Sequence, residues 1–144
     1  MILLDANLLL YASVSDFSQH TRARRWFEDQ VNGLARVGLP WMSLVAFLRI
    51  STNARVFPRP LPIEDAWSRV VEWLNIPVVW TPTETDRHAE VFGTLLRAAG
   101  ATDNVVPDAH LAAIAIEHGL VLCSTDRDFA RFRGLRWENP LQPD

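Results

Sequence analysis

Asp5, Asp108 and Asp126 each stand at the border of an apolar segment. Asp5 ends the run Ile2–Leu4, and Asn7 follows two positions later, ahead of a second apolar run, Leu8–Leu10. Asp108 opens the apolar stretch Ala109–His118, and Asp126 lies in Ser124-Thr-Asp-Arg-Asp-Phe129, directly after Leu120–Cys123. Carboxylates that converge on one crevice repel each other, and a cation relieves the repulsion. An all-oxygen donor set selects a hard ion such as Mg²⁺ or Mn²⁺. Mg²⁺ takes one or two protein carboxylates and keeps several waters. A water so held is a nucleophile for a phosphodiester, and a second ion would stabilise the leaving oxygen. Asp5, Asp108 and Asp126 are therefore the candidate metal-binding and catalytic acids. Asn7 is a hydrogen-bonding helper, and Asp103 and Asp128 are auxiliary acids.

Each residue also has a plainer reading. Asp caps helices well, so Asp5 alone would be a cap. Asp108 alone would be a charge favoured at a helix N-terminus, and Ser124-Thr125-Asp126 an ordinary turn. Asp128 has equal weight as an auxiliary acid and as the cap of a short helix. It is the recurrence of acids at matching places that favours a shared site.

The elements that would position these acids follow from periodicity. Ile2–Leu4 is a short apolar run of the kind buried on both faces of a parallel sheet. Ala6–Ala12, His20–Val31, Trp41–Ser51 and Ile63–Asn75 are expected as helices, the last burying Ala66, Trp67, Val70, Val71 and Leu74. A further helix is expected to start between Pro82 and Thr85 and to end at Gly100. The helix opened by Asp108 is stopped by Gly119. Strands are expected at Arg36–Pro40, Pro77–Trp80, Leu120–Cys123 and Leu135–Trp137. Strands alternating with helices predict an α/β fold: a three-layer α/β/α sandwich around a mainly parallel sheet of four or five strands, in a single domain over residues 1–144. Right-handed crossovers place the carboxyl ends of the strands, and hence Asp5 and Asp126, along one edge.

Composition narrows the class. The formal net charge is −3, which excludes a uniformly basic nucleic-acid coat, and all 14 basic residues are Arg. Arg is the better fork for phosphate; Arg49 and Arg127 are candidate phosphate contacts, while Arg131, Arg133 and Arg136 extend a basic run. The one cysteine, Cys123, follows Leu120-Val-Leu122 and is expected as a buried, inert thiol in a reducing cytoplasm. The N-terminal apolar stretch is interrupted by Asp5 and lacks a basic start, so neither a signal peptide nor a membrane span is expected.

Ile2-Leu-Leu-Asp-Ala-Asn-Leu-Leu-Leu-Tyr11, Pro107-Asp-Ala-His-Leu-Ala-Ala113 and Ser124-Thr-Asp-Arg-Asp-Phe129 resemble the three acidic motifs of PIN domains. Leu39-Pro-Trp41, Ala46-Phe-Leu-Arg-Ile50, Thr52-Asn53 with Arg55-Val-Phe57, and Arg133-Gly-Leu-Arg-Trp137 resemble the VapC toxin branch of that family. The resemblance covers essentially the whole chain. It implies a metal-dependent endoribonuclease acting on tRNA or rRNA, a homodimer, and neutralisation by a VapB antitoxin. Asp5, Asp108 and Asp126 take the positions of the first, third and fourth catalytic acids, and Asn7 that of the usual helper. The second acid, a Glu on the helix after the second strand, has no counterpart in Trp41–Ile50, where Met42 or Phe47 takes its place. Three readings of that departure stay open: Asp103 substitutes, three acids suffice, or the protein is a catalytically weak or inactive module that binds RNA or antitoxin. A phosphohydrolase of the haloacid dehalogenase type ranks last, because position 7 is Asn and no Lys exists for the lysine role.

Overall fold

Among the described residues, five short parallel strands form the sheet, and the middle one is the N-terminal run that leads into Asp5. The computed structural model describes residues 1–142. The strands are β1 (Ile2–Leu4), β2 (Val37–Gly38), β3 (Val79–Trp80), β4 (Val121–Cys123) and β5 (Trp137–Glu138), in the spatial order β3-β2-β1-β4-β5. Every pairing is parallel. The helices are α1 (Ala6–Ser13), α2 (His20–Val31), α3 (Trp41–Ser51), α4 (Ile63–Leu74), α5 (His88–Ala99) and α6 (Val105–His118), with a 3₁₀ helix at Arg127–Arg131.

Side chains alternate across a strand, so β1 feeds two cores at once. Leu4 packs with α1, α2, α3 and α4 on one face, among Leu9, Phe27, Phe47 and Trp73. Leu3 packs with α5 and α6 on the other, among Leu95, Ala112, Leu122 and Phe129. Both leucines are fully buried, each worth about 1.5–3 kcal/mol of transfer free energy. That burial on both faces is why the run Ile2–Leu4 is continuously apolar, as expected of a central parallel strand. Gly38 is required by packing: a Cβ there would come within 2.8 Å of Pro82 Cγ and 3.2 Å of Ile2 O. Gly119 ends α6 with φ 66°, the left-handed cap that glycine adopts without strain.

The boundaries of α2 and α3 coincide with those expected. Four other details differ. α6 begins at Val105 rather than at Asp108. Pro107 is tolerated there because the first four N–H groups of a helix have no partner within it. α5 begins only at His88, because Thr85 is held by Glu117: the Thr85 N–H and hydroxyl both donate to Glu117 Oε1, at 3.0 and 2.7 Å. In α4 the buried residues are Ala66, Val70 and Trp73, while Trp67 and Val71 face outward. The last strand is shifted to Trp137–Glu138, leaving Leu135 before it.

Candidate active site

The register of β1 on β4 sets the site. Leu4 lies opposite Cys123, and the Asp5 N–H continues the ladder by donating to Cys123 O at 3.0 Å. Asp5 and Ser124 thereby emerge side by side. From β1 the chain crosses to β2 on one flank, and from β4 to β5 on the other. Adjacent strands whose connections diverge in this way leave a crevice at their carboxyl ends, where open α/β sheets bind ligands.

Asp5 has extended backbone and caps α1, its Oδ1 accepting from Ala6 N at 2.8 Å. Its other oxygen, Oδ2, accepts the Ser124 hydroxyl at 2.7 Å. The capping role and the site role thus coexist in one carboxylate, and lone pairs remain free on both oxygens. Ser124 is wholly buried. Besides donating to Asp5, its Oγ accepts from Asn7 Nδ2 at 3.0 Å and from Asp126 N at 3.1 Å. One donor and two acceptor positions are all a hydroxyl has, so Ser124 is saturated by the three residues it ties together. Asn7 Oδ1 is buried and has no partner among the described residues.

Asp126 caps the 3₁₀ helix, its Oδ1 accepting from Asp128 N at 2.9 Å. The cap is therefore Asp126, not Asp128; the Asp128 carboxylate instead lies 3.5 Å from Arg131 Nη2. Asp108 sits in the first turn of α6 and is half-buried. Burial, and then the negative charges of Asp126, Asp5 and Asp128, push its carboxyl up to about 6, against the opposing pull of Arg131. Asp5 is also pushed above the ordinary carboxylate range, by burial first, with the Ser124 and Ala6 hydrogen bonds opposing and Asp126 adding to it. The fold thus brings Asp5, Asp108, Asp126 and Asp128 within electrostatic reach of one another.

Other candidates fall elsewhere. Asp103 is exposed, with φ 50° in the turn before α6, and is not one of the charges acting on Asp5 or Asp108. Arg49 is exposed in the last turn of α3, and Arg127 is exposed at the start of the 3₁₀ helix. The arginine whose charge reaches Asp108 is Arg131. On α3, Phe47 is fully buried against Trp73, ring centroids 4.8 Å apart. Met42 packs against the α5–α6 core and lines a small cleft with Glu84 and His110. Neither offers an oxygen. The polar group that α3 does bring to the end of β1 is Ser43, buried, its hydroxyl donating to Leu4 O at 2.8 Å.

Sequence reasoning passed over Ser43 and the linking role of Ser124. A small polar residue directly after a buried strand was the available signal. It also passed over the network that anchors α6. The Glu117 carboxylate, fully enclosed, accepts from Thr85 and pairs with His88 Nδ1 at 2.7 Å. His88 Nε2 meets His110 Nδ1 at 3.1 Å, and His110 Nε2 lies 3.1 Å from Glu84. Cys123 is buried with its thiol pushed up to about 12, chiefly by burial, which makes it inert as expected.

Among the described residues, no three His, Cys, Asp or Glu side chains are close enough to hold one ion between them. The acids form a loose, all-oxygen set. Such a set suits an ion held by one or two carboxylates and otherwise by water, and the unpartnered Asn7 Oδ1 beside Ser124 is a further oxygen in the same place.

Comparison with known proteins identifies the family. The family model for the PIN domain matches residues 2–135. The chain belongs to the PIN-domain family. Within that family it sides with the VapC ribonucleases. It is 46% identical over 142 residues to Ribonuclease VapC33 of Mycobacterium tuberculosis, covering 99% of each chain. It is 43% identical over 140 residues to Ribonuclease VapC37 of the same organism, covering 97% of each. Two solved structures share the fold at lower identity. VapBC2 from Rickettsia felis, bound to a promoter DNA fragment, aligns with a TM-score of 0.68 at 18% identity, over 96% of this chain and 98% of the other. Mycobacterium tuberculosis VapC20, a sarcin–ricin loop cleaving toxin, aligns with 0.65 at 18% identity, over 94% and 99%. This PIN domain has no helix long and apolar enough to cross a membrane among its described residues.

Proposed function

We propose that this PIN domain is an endoribonuclease toxin of the VapC type that hydrolyses RNA phosphodiesters at the crevice between β1 and β4. The observation that carries the reading is the convergence of Asp5, Asp108 and Asp126 at the carboxyl ends of β1 and β4, where burial first, and then the charges of Asp126 and Asp5, push the Asp108 carboxyl up to about 6. Three acids held in such company are costly to the fold unless a cation or a proton neutralises them. One or two of Asp5, Asp108 and Asp126 would hold Mg²⁺ or Mn²⁺, whose remaining positions would be filled by water, with Asn7 and Asp128 in support. A divalent ion bound there supplies Lewis acidity to a phosphoryl oxygen and lowers the pKa of water.

The chain's own residues do the positioning. Ala6 N and Ser124 fix the Asp5 carboxylate, Asp128 N fixes Asp126, and the Ser124–Asn7 contact locks the first turn of α1 against β4. Structured RNA, tRNA or rRNA, is the substrate class that the VapC resemblance implies. A VapB-type antitoxin is the expected partner; the neighbour from Rickettsia felis is a toxin–antitoxin complex. A homodimer is supported by the outward row Trp41, Val45, Trp67 and Val71 on α3 and α4, each at least 38% exposed, since apolar patches of this kind mark interfaces.

A second reading, a PIN-fold module that binds RNA or antitoxin without cleaving, is favoured by one observation. Met42 and Phe47 leave the site without the second acid, and Ser43 is engaged with Leu4 O. Incubating purified total RNA with the protein in Mg²⁺, Mn²⁺ or EDTA separates the two. Discrete fragments that require metal support the nuclease; RNA retention without fragments supports the module.

A further inference from the structure

Between the second half of α5 and the end of the 3₁₀ helix lies a cleft of about 510 Å³, with Leu95 and Phe132 as its apolar floor, Thr94 and Ala98 on one wall, and Arg131 and Arg133 on the other. No step described above uses it. Arg131 connects it to the acids. Its Nε donates to Asp128 O at 3.1 Å and its Nη2 lies 3.5 Å from Asp128 Oδ1, which braces the guanidinium. The Asp128 N–H in turn donates to Asp126 Oδ1 at 2.9 Å, so the cleft lies beside the catalytic crevice. Arg133 is exposed and forms no ion pair among the described residues. Arg136, by contrast, is occupied: its guanidinium donates to Gly119 O. In a chain with a net charge of −3, two guanidinium groups over an apolar floor next to an acidic centre form a local reversal of field.

A nucleotide matches that arrangement in each part. Its phosphate takes guanidinium forks, its base covers an apolar floor, and its size suits a cleft of a few hundred Å³. We propose that the α5–3₁₀ cleft is a nucleotide subsite, in which Arg131 and Arg133 grip the backbone of single-stranded RNA flanking the scissile phosphate. The inference rests on the ribonuclease reading of the neighbouring acids. It assigns a binding role to Arg133 that is separate from the chemistry.

The test is equilibrium binding of a short, labelled, mixed-sequence single-stranded RNA by the full chain in EDTA, so that no cleavage intervenes. Arg133→Ala is expected to weaken binding and to reduce the slope of log Kd against log salt by about 0.7, the contribution of one single-strand phosphate contact. Ala98→Glu, on an exposed helical position, adds a negative wall without disturbing the core and is expected to weaken binding on the order of fivefold at low salt. Ala98→Arg is expected to tighten it. Unchanged affinity and salt slope in both Arg133→Ala and Ala98→Glu would overturn the subsite, as would absence of oligonucleotide binding by a wild-type protein that cleaves total RNA. If the wild type cleaves nothing while these variants still weaken binding, the subsite stands and the ribonuclease reading falls.

Discussion

The Ser124 hydroxyl donates to Asp5 Oδ2 over 2.7 Å, joining residues 119 positions apart in the chain. Through the same oxygen Ser124 holds Asn7 and the Asp126 N–H. Replacing Ser124 with Ala leaves the Asn7 amide and the Asp126 N–H without their acceptor and Asp5 Oδ2 without its donor, around a side chain that is itself wholly buried. Buried polar groups left unsatisfied cost about 1–3 kcal/mol. Ser124→Ala is therefore expected to lower the unfolding free energy by that amount in denaturant melts, and to reduce cleavage by loosening two of the three acids. Full activity in a destabilised Ser124→Ala protein would separate the hub from the site.

Asp108 links stability to pH. Its carboxyl is raised from 3.8 to about 6 in the fold, so between those values the native state binds more protons than the unfolded chain. Stability from this group is then greatest at low pH and falls as pH rises through that window. Above about pH 6 the metal-free protein carries an uncompensated carboxylate. Asp108→Asn is expected to raise Tm in EDTA at neutral pH while abolishing cleavage, and to shrink the Tm rise that Mg²⁺ or Mn²⁺ gives the wild type by mass action. Thermal melts of both proteins with and without metal read the two Tm effects, and the RNA cleavage assay reads the third. A lower Tm for Asp108→Asn in EDTA would show that the acid is structural.

Glu117 behaves with the opposite sign. Burial alone would raise its carboxyl, but hydrogen bonds from His88 and Thr85 bring it below the ordinary 4.5. Its contribution is present above that value and is lost as pH falls through the folded one. Glu117→Gln removes the charge that holds Thr85 and His88 and is expected to cost about 1.5–3 kcal/mol near neutral pH, the range for hydrogen bonds to charged groups. The gap between wild type and variant should narrow in melts run at progressively lower pH below the ordinary 4.5. A gap that persists there would point to packing rather than charge.

Cys123 is buried and its thiol is pushed up to about 12. The thiolate is the reactive form, so alkylation at pH 8 is expected to be absent in the folded protein and complete in denaturant. Mass spectrometry after a short iodoacetamide pulse checks this. Rapid labelling of the native protein would mean that β4 opens readily.

Much of this was legible in the sequence. β1 announces itself because a central parallel strand must be apolar on both faces, and α2 and α3 because their apolar spacing holds over three turns. Asp5 stands out because it follows such a strand directly, and Asp126 because it lies three residues beyond the end of another. What could not be read depends on distant partners. The start of α5 is set by Glu117, 32 residues from Thr85. The linking role of Ser124 needs the β1–β4 register. The buried face of α4 turns on Trp73, which meets Phe27 and Phe47 from two other helices, so the helix is rotated away from the stripe that Trp67 and Val71 suggested. The cap on the 3₁₀ helix went to Asp126 because Asp128 is turned to Arg131, a choice that two acids spaced by one residue leave open.

The most direct measurement is cleavage of purified total RNA by antitoxin-free wild-type, Asp5→Asn and Asp108→Asn proteins, each checked for a folded circular-dichroism spectrum, in Mg²⁺, Mn²⁺ and EDTA. Discrete fragments are expected from the wild type with metal only, and none from either variant. Fragments that persist in EDTA, or in folded Asp5→Asn protein at the wild-type rate, would contradict a metal-assisted hydrolysis centred on these acids.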